Sequence, residues 1–209
     1  MNKSYRTEQE EFWAGSFGEE YIKRNQSKEL LASNLALFTK MLKTAKPASI
    51  IEFGANIGMN LQALETLLPN ATLSAIEINK TASEQLQNLM PEVAVHNQSI
   101  LEFDAQQSYD LVLIKGVLIH INPAELPLVY QKLYDSSSRY ILVAEYYNPS
   151  PVEINYRGHS GRLFKRDFAG EMLNTFGDLR LVDYGFQYHK DPIFPADDIT
   201  WFLMEKVKA

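Results

Sequence analysis

Residues 49–58, SIIEFGANIG, combine an apolar run, a carboxylate and two glycines. The short, β-branched stretch ASIIEF is typical of a buried strand, which places Glu52 near its carboxyl end. Gly54 permits a sharp turn out of the strand, and Gly58 permits the next helix to begin close to a ligand, because neither carries a Cβ atom. Glu52 is a candidate acceptor for a ligand ammonium group or for backbone N–H groups. The residues predict a binding loop or, alternatively, a tight turn with no ligand.

A second acidic residue, Glu77, lies 23 residues after Gly54, at the carboxyl end of the predicted strand TLSAIEI. An acidic side chain at this position of a nucleotide-binding unit binds ribose hydroxyls. Together with the glycine loop, it favours a nucleoside ligand over an unrelated surface glutamate. The dinucleotide fingerprint G-x-G-x-x-G is not met, because Asn56 and Met59 replace two of its glycines. The sequence also lacks the phosphate loop G-x-x-x-x-G-K-[ST].

The elements that must position these residues alternate between strands and helices. Strands are predicted at ASIIEF, TLSAIEI, EVAVH, YDLVLIKG, RYILVAEYY, LRLVDYGFQY and ITWFLMEK. Helices are predicted over about 7–25, from Ser27 to before Pro47, over about 58–68 and 80–89, from about Pro123, and at LFKRDFAGEMLNTFG. This alternation predicts an α/β fold with a mostly parallel, seven-stranded sheet and helices on both faces. Ligands of such sheets bind outside the carboxyl ends of the strands, where the strand order reverses.

Composition narrows the classes of function. A chain of 209 residues with 45% hydrophobic content predicts one domain over 1–209. Its 26 acidic and 20 basic residues give a charge of −6, and no run of Lys or Arg favours nucleic acid. The absence of cysteine excludes disulfides and thiolate chemistry, and the histidines show no metal-ligand spacing. With no apolar segment approaching about 20 residues, we expect a cytoplasmic protein without a membrane partner.

The motifs resemble those of class I S-adenosylmethionine-dependent methyltransferases. IIEFGANIG is similar to their first motif, E/D-x-G-x-G-x-G, with Asn56 in place of the middle glycine, and AIEIN, NQSILEF and YDLVLIKGVLIHI resemble later motifs, so that the likeness spans residues 49–121. The resemblance implies a Rossmann-like class I methyltransferase fold with S-adenosylmethionine (SAM) as cofactor. The cofactor-binding residues that it implies, with Glu77 at the ribose and Ser99 and Ile100 at the adenine, are Glu52, Gly54, Ala55, Asn56, Gly58, Glu77, Ile78, Ser99, Ile100, Lys115 and Gly116.

Three further stretches point to a narrower group. EQEEFWAGSFGEEYIKRN, GVLIHINP and EYYNPSPVEINYRGHSGRLFKRDFAGEML resemble small methyltransferases encoded with pseudaminic acid biosynthesis. This resemblance implies methyl transfer to an oxygen or nitrogen of a small, sugar-derived acceptor of a nonulosonate pathway.

Methyl transfer requires little covalent machinery, because the sulfonium methyl group is already an activated electrophile. The enzyme must mainly hold a nucleophile in line with the S–CH₃ bond, at about 3–3.5 Å. A hydroxyl acceptor also needs a base, whereas a neutral amine can lose its proton after attack. The candidate catalytic residues are His120, His159 and Tyr146. The alternatives are a packing or enclosing role for His120 and a solvated loop position for His159.

Two segments are predicted to border the acceptor. Residues 146–166, the predicted acceptor-side loop, interleave the aromatic, polar and basic residues Tyr146, Tyr147, Asn148, Tyr156, Arg157, His159, Arg162, Lys165 and Arg166. Such rings and guanidinium groups suit a sugar carboxylate or phosphate, although a solvated loop is the alternative. Residues 1–26 are predicted to form a helical cap, in which Trp13, Phe17 and Tyr21 act as a lid or as an ordinary helix-to-core stripe.

Two functions therefore stay open from sequence. The first is a SAM-dependent methyltransferase acting on a small molecule. The second is a non-catalytic, nucleoside-binding regulatory module that keeps the fold, an alternative that Asn56 supports. Either is expected as a monomer or homodimer.

Overall fold

The computed structural model describes residues 5–24 and 26–207. Its helices are α1 (Glu8–Ala14), α2 (Ser16–Ile22), α3 (Lys28–Met41), α4 (Met59–Leu67), α5 (Lys80–Leu89), α6 (Leu126–Ser136) and α7 (Phe168–Thr175). Its strands are β1 (Ser49–Phe53), β2 (Thr72–Ile76), β3 (Ala94–His96), β4 (Tyr109–Lys115), β5 (Ser137–Glu145), β6 (Val152–Tyr156), β7 (His159–Lys165), β8 (Leu179–Gln187) and β9 (Ile199–Lys206). Two 3₁₀ turns, Leu118–His120 and Pro123–Glu125, follow β4.

Seven strands form one sheet in the order β3-β2-β1-β4-β5-β9-β8. Strands β1 to β5 pair in parallel, and β9 is antiparallel to both of its neighbours. The predicted mostly parallel, seven-stranded sheet is confirmed. The strand order reverses at β1, since β2 lies on one side of it and β4 on the other, and Phe53 pairs with both Ile76 and Ile114. The carboxyl ends of these three strands are therefore level at the place where a ligand is expected.

The core lies on both faces of the sheet because successive strand side chains point in opposite directions. On one face, Ile51 and Phe53 of β1 pack with side chains of α6 and α7. On the other face, Ile50 joins side chains of α3 and α4. Burial on both faces explains the near-continuous apolar sequence of β1 and β4.

The N-terminal region differs from the single helix predicted over about 7–25. It forms two helices, α1 and α2, with the backbone of Gly15 extended between them. Thr7 and Glu10 form a capping box that starts α1. Asn25, the last residue of the predicted helix, lies outside the described residues. The aromatic spacing suggested one helix because Gly15 interrupts the chain without interrupting the one-sided pattern.

Part of the predicted acceptor-side loop, 146–166, is a hairpin formed by β6 and β7. Arg157 and Gly158, with φ of 52° and 87°, make its turn, as in two-residue hairpin connections. The helix predicted at LFKRDFAGEMLNTFG is correspondingly shorter, since its first residues belong to β7 and Asp167 caps α7. The apolar-polar alternation of VEINY was the sequence signal for a strand.

Candidate cofactor and acceptor site

A cavity of about 300 Å³ opens at the carboxyl edge of β1, β2 and β4. The loops that follow these strands form much of its lining, α1 and α2 cover one side, and Tyr156 and Arg157 of the β6–β7 hairpin lie at its mouth. Of the residues implied by sequence, it is lined by Gly54, Ala55, Asn56, Glu77, Ile78, Ser99, Ile100, Lys115, Gly116, His120 and Tyr146. The structure thus brings together eleven residues from five separate segments of the chain.

The loop after β1 bends tightly at Gly54. Its φ is 79°, and the N–H groups of Gly54 and Ala55 both donate to the carbonyl of Ile76, at 2.8 and 3.0 Å. A Cβ atom on Gly54 would lie 2.6 Å from a methyl carbon of Val117. Asn56 is also left-handed, with φ of 49°, a conformation that asparagine tolerates better than most residues. The loop therefore keeps a left-handed residue at this position, although asparagine replaces the middle glycine of the motif.

Glu77 fixes this loop from the neighbouring strand. One carboxylate oxygen accepts a hydrogen bond from the Asn56 N–H and the other from the Asn79 N–H, both at 2.7 Å. Burial raises the pKa of Glu77, whereas these N–H donors act in the opposite direction. Each carboxylate oxygen keeps a further lone pair. Glu77 therefore has acceptor capacity left for hydroxyls of a ligand in the cavity.

Two residues of the motif, Glu52 and Gly58, lie behind the loop and outside the cavity lining. Glu52 is fully buried, accepts a hydrogen bond from the side-chain amide of Asn60 at 2.6 Å, and has its pKa raised to about 8 by burial. Gly58 has φ of 82°, and a Cβ atom there would collide with Leu86 of α5. Gly58 thus lies close against Leu86 of α5, while the first two residues of α4, Met59 and Asn60, line the cavity.

The end of the cavity near β3 is a small wall formed by Ile78, Ser99 and Ile100. Ser99 is buried, bonds the carboxylate of Glu10, and accepts a hydrogen bond from the Leu101 N–H at 3.0 Å. Its hydroxyl is thus already committed to protein groups. This end of the cavity therefore presents mainly an apolar surface to a ligand.

The opposite end contains Lys115, Gly116 and Tyr146, at the ends of β4 and β5. Burial lowers the pKa of Lys115 and, together with Asp197, raises that of Tyr146. Glu145 accepts the N–H groups of Val117 and Leu118, both at 2.9 Å. It thereby holds the turn that follows β4.

His120 lies on that turn and faces the cavity with 8% of its surface exposed. Its Nδ1 is 2.6 Å from the carbonyl oxygen of Arg162, and its ring centroid is 4.5 Å from that of Trp13 and 5.0 Å from that of Tyr156. Burial lowers the pKa of His120 to about 4. A neutral ring that donates from Nδ1 carries its free lone pair on Nε2. The hairpin carbonyl therefore selects the tautomer in which Nε2 accepts a proton.

His159 is exposed and outside the lining, with its ring edge-on to Phe12 and Phe17. Of the remaining residues named in 146–166, only Tyr156 and Arg157 join Tyr146 in the lining. Arg162 and Arg166 instead form ion pairs with Glu8 and Glu171, Lys165 lies over the Tyr146 ring, and Tyr147 contacts Phe202.

No protein-family model matches the chain. Seventy residues, 31% of the chain, are 33% identical to the tRNA1(Val) (adenine(37)-N6)-methyltransferase of Pseudoalteromonas translucida (strain TAC 125) and span 30% of that enzyme. Magnesium protoporphyrin IX methyltransferase from Synechocystis PCC 6803 with bound S-adenosylhomocysteine (SAH) has a TM-score of 0.69 at 11% identity, covering 95% of this chain and 97% of that one. Coclaurine N-methyltransferase bound to N-methylheliamine and SAH has a TM-score of 0.65 at 13% identity, covering 82% of this chain and 60% of that one.

The chain has the class I methyltransferase fold. At these identities the likeness to the two solved structures shows the fold and nothing finer. The chain spans less than two thirds of the coclaurine enzyme and of the tRNA enzyme that it matches.

Helices α1 and α2 form a cap over the cavity of this methyltransferase fold, lining it with Trp13, Gly18 and Tyr21. Phe17, the third predicted lid residue, is not in the lining and instead stacks on Phe12 at 4.1 Å between ring centroids. The lid prediction therefore agrees with the positions of Trp13 and Tyr21 only.

Sequence reasoning missed the two polar residues that hold the cap. The Asn79 side-chain amide reaches the carbonyl oxygens of Trp13, Ala14 and Gly15 at 3.2–3.4 Å, and Gln9 donates to the Gly161 carbonyl at 2.9 Å. Asn79 was recognisable as a helix cap before α5, but no sequence signal indicates its contacts with α1 and α2.

Among residues 5–24 and 26–207, no helix combines the length and apolar character that crossing a membrane requires. The same residues contain no group of three or more His, Asp or Glu side chains placed to hold a metal ion.

Proposed function

We propose that this protein is a SAM-dependent methyltransferase acting on a small-molecule acceptor. One observation carries the proposal: the Gly54–Asn56 bend, the Glu77 carboxylate and the Ile78–Ile100 wall border one cavity, at the point where the strand order reverses. These features match the parts of a nucleoside: the bend lets the protein backbone come close to the ligand, the carboxylate accepts from the ribose hydroxyls, and the wall packs against the base. The SAH bound in two structures of the same fold supports SAM as the ligand.

The lining suggests how the cofactor lies. Its adenine packs against Ile78 and Ile100, its ribose hydroxyls bond Glu77, and its methionine moiety passes Gly54 toward Lys115. When bound, SAM supplies a methyl group on a sulfonium centre that an acceptor nucleophile can attack. Glu52 and Gly58 contribute indirectly, by supporting the loop from behind.

His120 is the proposed proton acceptor. Its Nε2 is the free nitrogen of a ring held by the Arg162 carbonyl, and a pKa of about 4 keeps the ring neutral at physiological pH. Because the ring is neutral, its Nε2 is free to accept a proton that is lost as the new bond forms. Tyr146, whose pKa is raised, stays protonated and donates a hydrogen bond. His159 has no part in the proposal, because it lies outside the lining.

The proposed acceptor is sugar-derived, as in nonulosonate biosynthesis, with methyl transfer to an oxygen or nitrogen. Tyr156 offers a ring at the cavity mouth, and Arg157, in the hairpin turn beside it, offers a guanidinium group for a carboxylate or phosphate. The resemblance of the N-terminal and hairpin segments to pseudaminic acid methyltransferases supports the same class of acceptor.

The test is to incubate the purified protein with SAM and measure SAH and the methylated product by mass spectrometry. The acceptor panel contains nonulosonic acids and their amino-sugar precursors, simple amines and unmodified tRNA. We expect turnover with the sugar acids or precursors, and loss of turnover in His120→Gln with SAH affinity kept. Binding of SAH without turnover on any acceptor would favour the regulatory module, and turnover on tRNA alone would overturn the acceptor class.

A further inference from the structure

The cavity extends past the part that the cofactor is proposed to occupy. The adenosine is assigned to the ends of β3 and β2 and the methionine moiety to those of β1 and β4, whereas Tyr146 follows β5 and Asp197 precedes β9, the next two strands of the sheet. Neighbouring strands lie about 4.8 Å apart, so the end of β5 is roughly 14 Å from that of β2. The β5–β9 end is therefore the part of the cavity that faces an acceptor.

Asp197 presents a carboxylate at this end. The Tyr146 hydroxyl donates a hydrogen bond to it. Because the two oxygens of a carboxylate have about four lone-pair sites, this bond leaves acceptor capacity for a ligand. Lys115 of β4 is close enough for its charge to interact with that of Asp197, but within residues 5–24 and 26–207 the two form no ion pair. Asp197 thus lines the cavity as a carboxylate that can accept further hydrogen bonds.

A second acceptor, the side-chain oxygen of Asn34, lies at the same end. Ser33, its neighbour in α3, donates a hydrogen bond to the Pro195 carbonyl at 2.9 Å, which holds this turn of α3 against the loop that contains Asp197. Asn34 lines the cavity, and only 2% of its surface is exposed. Its side-chain amide has no hydrogen-bond partner in the described part of the chain. Burial of such a group is costly unless a ligand supplies the partner.

A neutral primary amine matches these two acceptors. Its two N–H groups can donate to Asp197 and to Asn34, which leaves the nitrogen lone pair to point at the sulfonium methyl group. A hydroxyl group has only one hydrogen to offer the same two acceptors. After methylation an amine also carries a positive charge, which a neighbouring carboxylate stabilises, whereas an ether is neutral. Both the number of acceptors and the charge of Asp197 therefore favour nitrogen as the methylated atom.

We infer that the acceptor is an amine whose N–H groups donate to Asp197 and Asn34, so that the protein is an N-methyltransferase. This inference rests on the proposed function, because it names the acceptor atom that the proposed function leaves open between oxygen and nitrogen.

The atoms and charges of the reaction balance as follows. The nitrogen lone pair forms the new N–C bond, and the S–C bond breaks with its electron pair remaining on sulfur, which gives SAH. The positive charge moves from sulfur to nitrogen, next to the carboxylate of Asp197. An amine that arrives as an ammonium group first loses one proton through Nε2 of His120 to water. One proton is then released for each methyl group transferred.

Methylation with SAM that carries a ¹³C-labelled methyl group tests the inference, because NMR of the product distinguishes an N-methyl from an O-methyl carbon. The acceptors are the nonulosonic acids and amino-sugar precursors named above, and simpler amino sugars such as glucosamine. Each amine is assayed beside the analogue in which a hydroxyl group replaces the amino group, as glucose does for glucosamine. We expect N-methyl products from amino compounds and no O-methyl product.

Two variants of nearly unchanged side-chain size test the residues. Asp197→Asn should lower kcat/KM for the amine about 10- to 100-fold, as expected for a lost hydrogen bond to a charged group, and Asn34→Leu should lower it about 10-fold. Both should keep the dissociation constant of SAH, measured by calorimetry. Asp198→Asn is the matched control, because Asp198 is paired with His189 and lies outside the lining. It should keep both the parent kcat/KM and the parent affinity for SAH.

An O-methyl product, or equal turnover of an amine and its hydroxyl analogue, would overturn the inference and leave the proposed function standing. A loss of SAH affinity in Asp197→Asn that matches its loss of kcat/KM would assign Asp197 to the cofactor and overturn its role at the acceptor. If no acceptor is methylated, the proposed function itself fails. Should either variant not fold, as judged by circular dichroism, the N-methyl or O-methyl identity of the product formed by the parent protein decides.

Discussion

Asn56 preserves the loop conformation of the glycine motif although it replaces the middle glycine. Its backbone is left-handed, as a glycine's would be, and its N–H donates to Glu77. The sequence identified Gly54 and Glu77 by type and spacing. It gave no means of seeing that the two strands are joined through the amide of Asn56, because a backbone hydrogen bond leaves no trace in residue identity.

Glu77→Ala should weaken SAH binding by about ten-fold or more, since it removes the acceptors proposed for the ribose. It also leaves the buried N–H groups of Asn56 and Asn79 without their partner, so we expect the free energy of unfolding to fall by about 1–3 kcal/mol. Calorimetry and urea denaturation measure the two effects. An unchanged dissociation constant for SAH would show that the ribose lies elsewhere.

Glu52 should make stability depend on pH. Its pKa is about 8 in the folded protein, against a usual 4.5, so between these values the folded state binds a proton that the unfolded state does not. The contribution of Glu52 to the free energy of unfolding is therefore highest at low pH and falls as pH rises from 4.5 to 8, by up to about 5 kcal/mol.

Urea denaturation at several pH values across this range, in the parent protein and in Glu52→Gln, measures the effect. In Glu52→Gln, the free energy of unfolding should fall much less as the pH rises. Glu65→Gln, on the exposed side of α4, should show the same fall as the parent protein. Identical pH profiles for all three proteins would contradict the assignment.

At the scale of elements, the cap is held by Asn79, which also caps α5 by accepting the Ala82 N–H at 3.1 Å. Asn79→Ser keeps a capping oxygen for α5. It removes the side-chain amide that reaches the carbonyl oxygens of Trp13, Ala14 and Gly15. We expect faster hydrogen exchange over residues 8–22, with exchange in α5 nearly unchanged. Asn79→Ala, which also loses the cap, should accelerate exchange in both. Unchanged exchange over 8–22 in Asn79→Ser would show that the cap is held by other contacts.

The sequence predicted the elements best where burial is greatest. Strands β1 and β4 are apolar on both faces, and their alternation with helices gave the parallel sheet. The hairpin was predicted as a loop because its strands are largely exposed and rich in polar residues. Gly15 was overlooked for a related reason: a break that keeps aromatic residues on one side does not disturb their periodicity.

At the scale of the whole molecule, the cavity depends on contacts between residues far apart in the chain. Glu10 bonds Ser99, Gln9 bonds Gly161, and Glu8 pairs with Arg162. Motif spacing placed the cofactor residues because they follow consecutive strands. It could not place the cap against the hairpin, since neither segment belongs to the repeating strand-helix pattern and their mutual packing is fixed only by the folded sheet.

The position of β9 between β5 and β8 has a consequence for synthesis on the ribosome. Each of the strands β2 to β5 has at least one neighbour in the sheet that precedes it in the chain. Strand β8 emerges before β9, the strand through which it joins the sheet. Until β9 is made, nascent β8 has no place in the sheet and β5 keeps an open edge. Closure of the sheet therefore waits for the synthesis of β9.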